Sequence, residues 1–306
     1  MNRFEYLEAQ TLPEAIALLG QDEGTRIVAG ATDFLVRWRQ GLWKPHAVLT
    51  IQRIPGLDGV SYNPATGLSL GTLVTIRQME LHPLIRAHYP ALSQAASTFA
   101  GVQIRNLATI GGNICNASPA GDTLPALLVY EAECHLSGPE GERRVPLESF
   151  LLGPGRTALR PAELLVELRL PPLQPHTGAL YIKHSPRSAM DISAVGVASV
   201  VTLEGGDGVC REVRIAMGAV GPTVLRARSA EALLRGQHPD PALIQQAARA
   251  AMQEARPIDD IRGTARHRRA IVEALAGRTL RAAMQMAQGP DVPFQTQRAL
   301  AVEATF

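Results

Sequence analysis

Thr109-Ile110-Gly111-Gly112-Asn113-Ile114-Cys115 is the stretch on which this sequence turns. Two adjacent glycines let the backbone approach a ligand closely, while Thr109 and Asn113 can hydrogen-bond phosphate or ring edges. The stretch sits in a loop-like segment, 108–122, that also holds Asn116, Pro119 and Gly121. A segment of that length without period inside a compact domain is usually functional. Upstream, Arg26-Ile27-Val28-Ala29 reads as a short buried strand stopped by Gly30, and Thr32 and Asp33 offer N-cap oxygens to a helix through Phe34, Leu35 and Trp38. In Val28-Ala29-Gly30-Ala31-Thr32-Asp33, a strand ending in small residues with a helix opening at once exposes successive N–H groups and the positive end of a dipole. Such a nest suits phosphate or pyrophosphate, and the same pattern also serves a plain tight turn. Neither loop is G-x-G-x-x-G or a Walker A sequence. Two separate small-residue loops suit a long dinucleotide lying between two lobes better than a mononucleotide.

Around these loops the pattern is mixed. Thr11 and Glu14 read as a capping box before a helix to about Leu19, Gly41 ends the second helix, and 47–51 is a strand, giving a small α/β lobe. A hairpin spans 59–74, helices fall at 76–79, 83–87, 91–99 and 124–130, a second hairpin at 133–146, and a strand at 164–170. Pro171-Pro172 to Gly178 is the linker, so a first domain covers 1–172, with lobes at about 1–55 and 56–172. Beyond it, strands at 179–184, 193–203 and 209–220 precede helices at 229–234, 241–254 and 264–286. That order makes 178–287 an α+β domain, with a tail from 288 to 306 lacking clear period.

The 306 residues, 46% hydrophobic and 19% charged, suffice for two buried cores and exclude disorder. A net charge of +2 and an aromatic fraction of 4% argue against nucleic-acid binding. No apolar run reaches the roughly 18 residues of a membrane span, and the start lacks a secretory layout, so a cytoplasmic protein is expected. Cys115, Cys134 and Cys210 stand 19 and 76 residues apart, which fits neither zinc nor iron–sulfur spacing. No convincing nucleophilic triad or carboxylate pair stands out, and no residue is assigned as catalytic. Asp122 could accept from ribose or adenine groups, or could cap the helix at Leu124. Lys183, one of only two lysines, could approach a flavin ring or phosphate, or could face solvent on its strand. Arg262, Arg266, Arg268 and Arg269 form either a solvated helix face or a docking surface.

Taken together, A-G-A-T-D at 29–33 and T-I-G-G-N-I-C at 109–115 resemble the FAD-binding subunits of the molybdenum hydroxylases, such as carbon monoxide dehydrogenase and bacterial xanthine dehydrogenase. Gln103 to Asn106, Ala117-Ser118-Pro119 with Gly121-Asp122, Tyr181 to Lys183 with Asp191, and Arg262 to Ala265 extend the resemblance over about residues 3–287. It implies a two-lobed FAD domain of the vanillyl-alcohol-oxidase (PCMH) type followed by a small α+β domain. It further implies that Ile27, Val28, Ala29, Gly30, Ala31, Thr32, Asp33 and Phe34, with Thr109, Ile110, Gly111, Gly112 and Asn113, hold the pyrophosphate and ribityl parts. By the same resemblance Asp122 serves the nucleotide end, Leu165 lies by the adenine or ring edge, and Lys183 approaches from the second domain. Ala31 replaces the second glycine of the usual A-G-G-T-D; if the position needs positive φ, alanine costs about 1 kcal/mol. The cluster-binding cysteine insert of 4-hydroxybenzoyl-CoA reductase is absent between Cys115 and Asp122.

The function implied is electron transfer through non-covalent FAD between partner [2Fe-2S] clusters and an external acceptor. The implied partners are a small subunit with two such clusters and a large molybdopterin subunit carrying the substrate site. Two rivals remain: a self-contained FAD-dependent oxidase or reductase, which needs an acid or base over the flavin, and a non-redox interaction protein that has lost the cofactor.

Overall fold

The computed structural model describes residues 3–187, 190–205 and 208–289. Three strands, Glu5–Glu8, Ala47–Thr50 and Arg26–Val28, form a parallel sheet in that spatial order, crossed over by the helices Leu12–Gln21 and Phe34–Arg39. The central strand Ala47–Thr50 is buried throughout, as parallel sheets require. The first strand has no signal in the sequence, because its two glutamates and exposed Tyr6 hide the period; the pairing with Ala47–Thr50 creates it. Arg26–Val28 is not the buried strand expected. It is an edge strand with Ile27 exposed, and its open side borders a cleft. The Thr11 hydroxyl caps Glu14 N–H at 3.3 Å, but the Glu14 carboxylate reaches Gln10 N–H, one residue short of a full capping box.

The second lobe is a five-stranded antiparallel sheet ordered Val60–Asn63, Gly67–Gly71, Leu164–Leu170, Glu133–Gly138, Gly141–Pro146. Its buried face packs on the helices Ile76–Leu81, Pro83–His88, Pro90–Ser97 and Thr123–Val129. Segment 108–122 departs from the loop reading, since Ile110–Cys115 is a helix. Two glycines weaken its intrinsic propensity. The Thr109 hydroxyl caps Gly112 N–H, and the carbonyls of Val74 and Thr72 accept from Ile110 and Gly111 at 2.9 Å, so tertiary bonds hold the turn.

After the Leu164–Leu170 strand the chain crosses to a four-stranded antiparallel sheet, Thr177–His184, Val195–Leu203, Cys210–Gly218 and Leu225–Arg226. Its two faces do different work. Leu180, Ile182, Val197 and Val201 pack under the helices Pro241–Glu254 and Ala265–Gln288. Ala179, Tyr181, Ala198, Val200 and Ala216 join the core of the first domain instead. Both faces being covered explains why all nine residues of Val195–Leu203 are buried despite the antiparallel pairing. The tail expected from 288 begins only after Gln288, which ends the last helix, and residues 290–306 lie outside the described ones. No helix among the described residues is long and apolar enough to cross a membrane.

Candidate cofactor cleft

A cavity of about 430 Å³ opens between the two lobes, where the Arg26–Val28 edge faces the Ile110–Cys115 helix. Both glycine-bearing loops line it: Ile27 through Phe34 on one side, and Thr109, Gly111, Gly112 and Asn113 on the other, with Leu165 at its floor. A larger cavity of about 630 Å³ lies elsewhere, between the two domains, and is lined largely by arginines and glutamates such as the Arg226–Glu231 pair. It contains neither loop.

The first loop supplies the donors. Gln52 Nε2 donates to the Ala29 carbonyl at 3.0 Å and fixes the turn, and the Ala31 carbonyl accepts from Leu35. Among the described residues, the N–H groups of Gly30, Ala31, Thr32 and Asp33 take no protein acceptor. These groups border the cleft, where an anion would meet them. The expected cap is not formed. Asp33 is already helical, with φ −85° and ψ −38°, whereas an N-cap oxygen needs extended backbone to reach back. Ala31 has φ +59°, so the position does demand the left-handed region and alanine is strained there.

The second loop donates differently. Its Ile110, Gly111, Gly112 and Asn113 N–H groups are all bonded within the protein, leaving side chains to serve a ligand. Asn113 Oδ1 accepts from Thr123 Oγ1 at 2.6 Å, which turns the amide nitrogen outward as a donor. The glycines also serve packing. A Cβ on Gly30 would overlap the Leu107 carbonyl, and one on Gly111 would overlap Thr72. Gly112 is less crowded: a Cβ there would stand 3.0 Å from Thr109 Oγ1, a side-chain atom that would have to give by a few tenths of an ångström. Ile110 is fully buried in the second-lobe core and faces away from the cleft.

Asp122 and Lys183 are not among the residues that line this cavity; they meet in a buried ion pair. Asp122 starts the Thr123–Val129 helix without a side-chain cap, and its carboxylate accepts from Lys183 Nζ at 2.8 Å and Ser193 Oγ at 2.6 Å. Burial pushes its carboxyl up, with the Lys183 ammonium working against that. Lys183 does not face solvent; its side chain is 6% exposed. The arginine cluster is divided between buried, half-buried and exposed positions. Arg268 is buried against Asp260 and the Ala219 carbonyl, Arg262 pairs with Asp260, and Arg269 reaches the Ala255 carbonyl, so only Arg266 is exposed.

Several cleft residues escaped sequence reading. Trp43 lies between Arg26 and Arg37, whose guanidiniums stand 5.2 and 4.8 Å from its ring centre. Phe99 and Arg160 come from distant segments, and Glu163 is neutralised by two 2.7 Å bonds from Arg143. Nothing local in the sequence marks them. Cys115 is a free thiol on the cleft wall, and burial pushes its pKa up to about 12, which keeps it protonated and unreactive at neutral pH. The anion-ready loop, two flanking arginines and apolar walls from Ile27, Phe99 and Leu165 fit a cofactor with a pyrophosphate and a flat ring.

Comparison with known proteins gives the same direction. The family described as "FAD binding domain in molybdopterin dehydrogenase" matches residues 2–173, and "CO dehydrogenase flavoprotein C-terminal domain" matches 180–283. A putative xanthine dehydrogenase FAD-binding subunit of Escherichia coli K12 is 32% identical over 93% of this chain and 97% of its own. The carbon monoxide dehydrogenase medium chain of Hydrogenophaga pseudoflava is 33% identical over 92% of this chain and 97% of its own. The solved carbon monoxide dehydrogenase of that organism superposes with a TM-score of 0.89 at 34% identity, covering 93% of this chain and 98% of that one. The chain therefore belongs to the FAD-binding subunits of the molybdopterin dehydrogenases.

Proposed function

We propose that this chain carries FAD in the cleft between its lobes and acts as the electron-transfer subunit of a molybdenum hydroxylase. The observation that carries the reading is the run of unbonded N–H groups from Gly30 to Asp33, facing a cavity closed opposite by Gly112 and Asn113. When bound, FAD supplies the redox chemistry, accepting and releasing electrons singly or in pairs. The protein's own residues do the rest. The Gly30–Asp33 amides receive the pyrophosphate, the Asn113 amide and Thr109 hydroxyl orient the adjoining chain, and Ile27, Phe99 and Leu165 exclude water from the ring. Residues 1–172 hold the cofactor and 178–287 form the second domain. The partners are a subunit with two [2Fe-2S] clusters and a large molybdopterin subunit with the substrate site, in a cytoplasmic complex. Attachment is non-covalent, in keeping with the protonated Cys115 thiol.

The chain purified alone is expected to be yellow, to turn over no small substrate, and to be reduced when the iron–sulfur partner and substrate-bearing subunit are added. Acid precipitation should leave the flavin in the supernatant. A colourless chain overturns the cofactor assignment, and flavin retained in the pellet overturns the non-covalent one.

A further inference from the structure

Resting on the FAD reading, we infer that Arg105 is a positioning residue: its guanidinium holds the strained turn that sets Phe99 on the wall of the cofactor cleft. Past the helix Pro90–Ser97 the Phe99 N–H donates to the Ala96 carbonyl at 3.2 Å, so the chain is still wound tightly there. Ala100 then breaks the winding with φ +39°, a left-handed conformation that is costly for alanine. The helix Val102–Arg105 follows at once, and its last side chain reaches back over the turn. Arg105 Nη1 donates to the Phe99 carbonyl at 2.9 Å and to the Ala100 carbonyl at 3.0 Å. Among the described residues no backbone N–H donates to either carbonyl. Phe99 lines the cleft and Arg105 does not.

Two successive carbonyls converge on one nitrogen, so the turn brings their partial negative charges to the same side. They repel each other there unless a cation offsets them. Arg105 supplies that cation with its side chain only 13% exposed, where water is a poor substitute. Its own place is fixed by Glu80, whose Oε2 stands 2.9 Å from Arg105 Nε and 2.8 Å from Arg77 Nη1. Glu80 lies on the helix Ile76–Leu81, and its carbonyl accepts from Ser93 Oγ at 2.9 Å and Arg86 Nε at 3.1 Å. One guanidinium therefore ties the turn after Phe99 to the packed helices of the second lobe. Without it the left-handed turn loses its compensation, and Phe99 is free to leave the cleft wall. Arg105 thus acts on cofactor retention through Phe99.

A mutant cycle on the full chain tests this, using Arg105→Met, Phe99→Leu and the double variant, with Arg105→Lys as the conservative change. Three quantities are read: the rate of FAD release, chymotryptic cleavage after Phe99 followed by mass spectrometry, and the melting temperature. Arg105→Met should speed release about tenfold or more, and Phe99→Leu by a similar factor. The double variant should stay within about threefold of the faster single variant, because both changes remove the same wall. Arg105→Lys should stay within about threefold of the parent, since an ammonium has protons enough for both carbonyls. Cleavage after Phe99 should rise about fivefold or more in Arg105→Met and stay at the parent level in Arg105→Lys. Release factors that multiply in the double variant overturn the inference, because Arg105 would then act independently of Phe99. A lowered melting temperature with parent-like release in Arg105→Met overturns it too, since the residue would be a structural brace alone. Should Arg105→Met fail to fold, Arg105→Gln, which keeps a donor without the charge, takes its place under the same criteria. If the parent carries no FAD, the cofactor reading falls, and cleavage after Phe99 alone decides whether Arg105 holds the turn.

Discussion

Ala31 shows how one side chain can carry a conformational cost at a binding loop. With φ +59° it sits where a Cβ crowds the following carbonyl, at about 1–2 kcal/mol. Ala31→Gly removes that strain but frees the unfolded chain, at about 0.4–1 kcal/mol. The net expectation is a stabilisation of up to about 1 kcal/mol in chemical denaturation, with cofactor content kept or raised; a destabilised variant would show that the Ala31 methyl packs usefully. The glycines separate structural from ligand roles. Gly30→Ala drives a Cβ into the Leu107 carbonyl, so it should cost about 2 kcal/mol or more and lose FAD with the fold of the loop. Gly112→Val presses only on the Thr109 hydroxyl, which can shift, so it should lose FAD with a smaller drop in melting temperature than Gly30→Ala. Equal losses of stability in both variants would place Gly112 with the packing glycines.

Among the elements, the Arg143–Glu163 fork closes the 151–163 segment over the cleft. Arg143 donates from Nε and Nη2 to the two Glu163 oxygens at 2.7 Å, and Arg160 N–H adds a third bond. The Arg143 hydrogen bonds hold the Glu163 carboxyl below its usual 4.5. A depressed carboxyl pKa contributes stability above the unfolded value and loses it as pH falls through the folded one. Cofactor retention and stability should therefore decline below about pH 4.5, and Glu163→Gln should flatten that acid limb; an unchanged limb would mean the fork contributes nothing. The loop before the last helix is braced in the same manner. Arg268 is buried against Asp260 and the Ala219 carbonyl, so Arg268→Ala should destabilise the chain by about 3–5 kcal/mol in denaturant unfolding. A loss under about 1 kcal/mol would return Arg268 to the surface role that its sequence neighbours suggest.

For the whole molecule, the two domains share one wall. Gly196, Ala198, Ala216 and Gly218 form a trough on the second sheet, and helix Thr123–Val129 seats in it, with a Cβ on Gly218 only 3.0 Å from Pro125 Cγ. That helix is buried throughout and follows directly on the cofactor loop. Residues 1–172 expressed alone should therefore expose Leu124 and Leu128, self-associate, and hold FAD poorly. Co-expression with 177–289 should restore a soluble yellow protein, as read by size exclusion and flavin absorbance. A monomeric, yellow 1–172 fragment would show instead that the first domain completes the cleft unaided.

What the sequence determined by itself was local or periodic. The two glycine loops, the hairpins within 59–74 and 133–146, and the strands-then-helices order beyond residue 177 all follow from turn residues and alternation read within a short window. The resemblance that those loops carry led to the family the comparisons show. The tertiary structure decided whatever depends on partners distant in the chain. Glu5–Glu8 becomes a strand only against Ala47–Thr50, and 110–115 becomes helical because Thr72 and Val74 accept its amides. Gly30 and Gly111 proved to be packing glycines, since the atoms that exclude their Cβ belong to Leu107 and Thr72. Phe99, Arg160 and Trp43 reach the cleft only through folding. Asp122 and Lys183, 61 residues apart, read separately as possible ligand contacts and lie together as a buried pair. Charge, small size and alternation are properties of a residue or its near neighbours, whereas burial and pairing arise only when the second domain packs on the first.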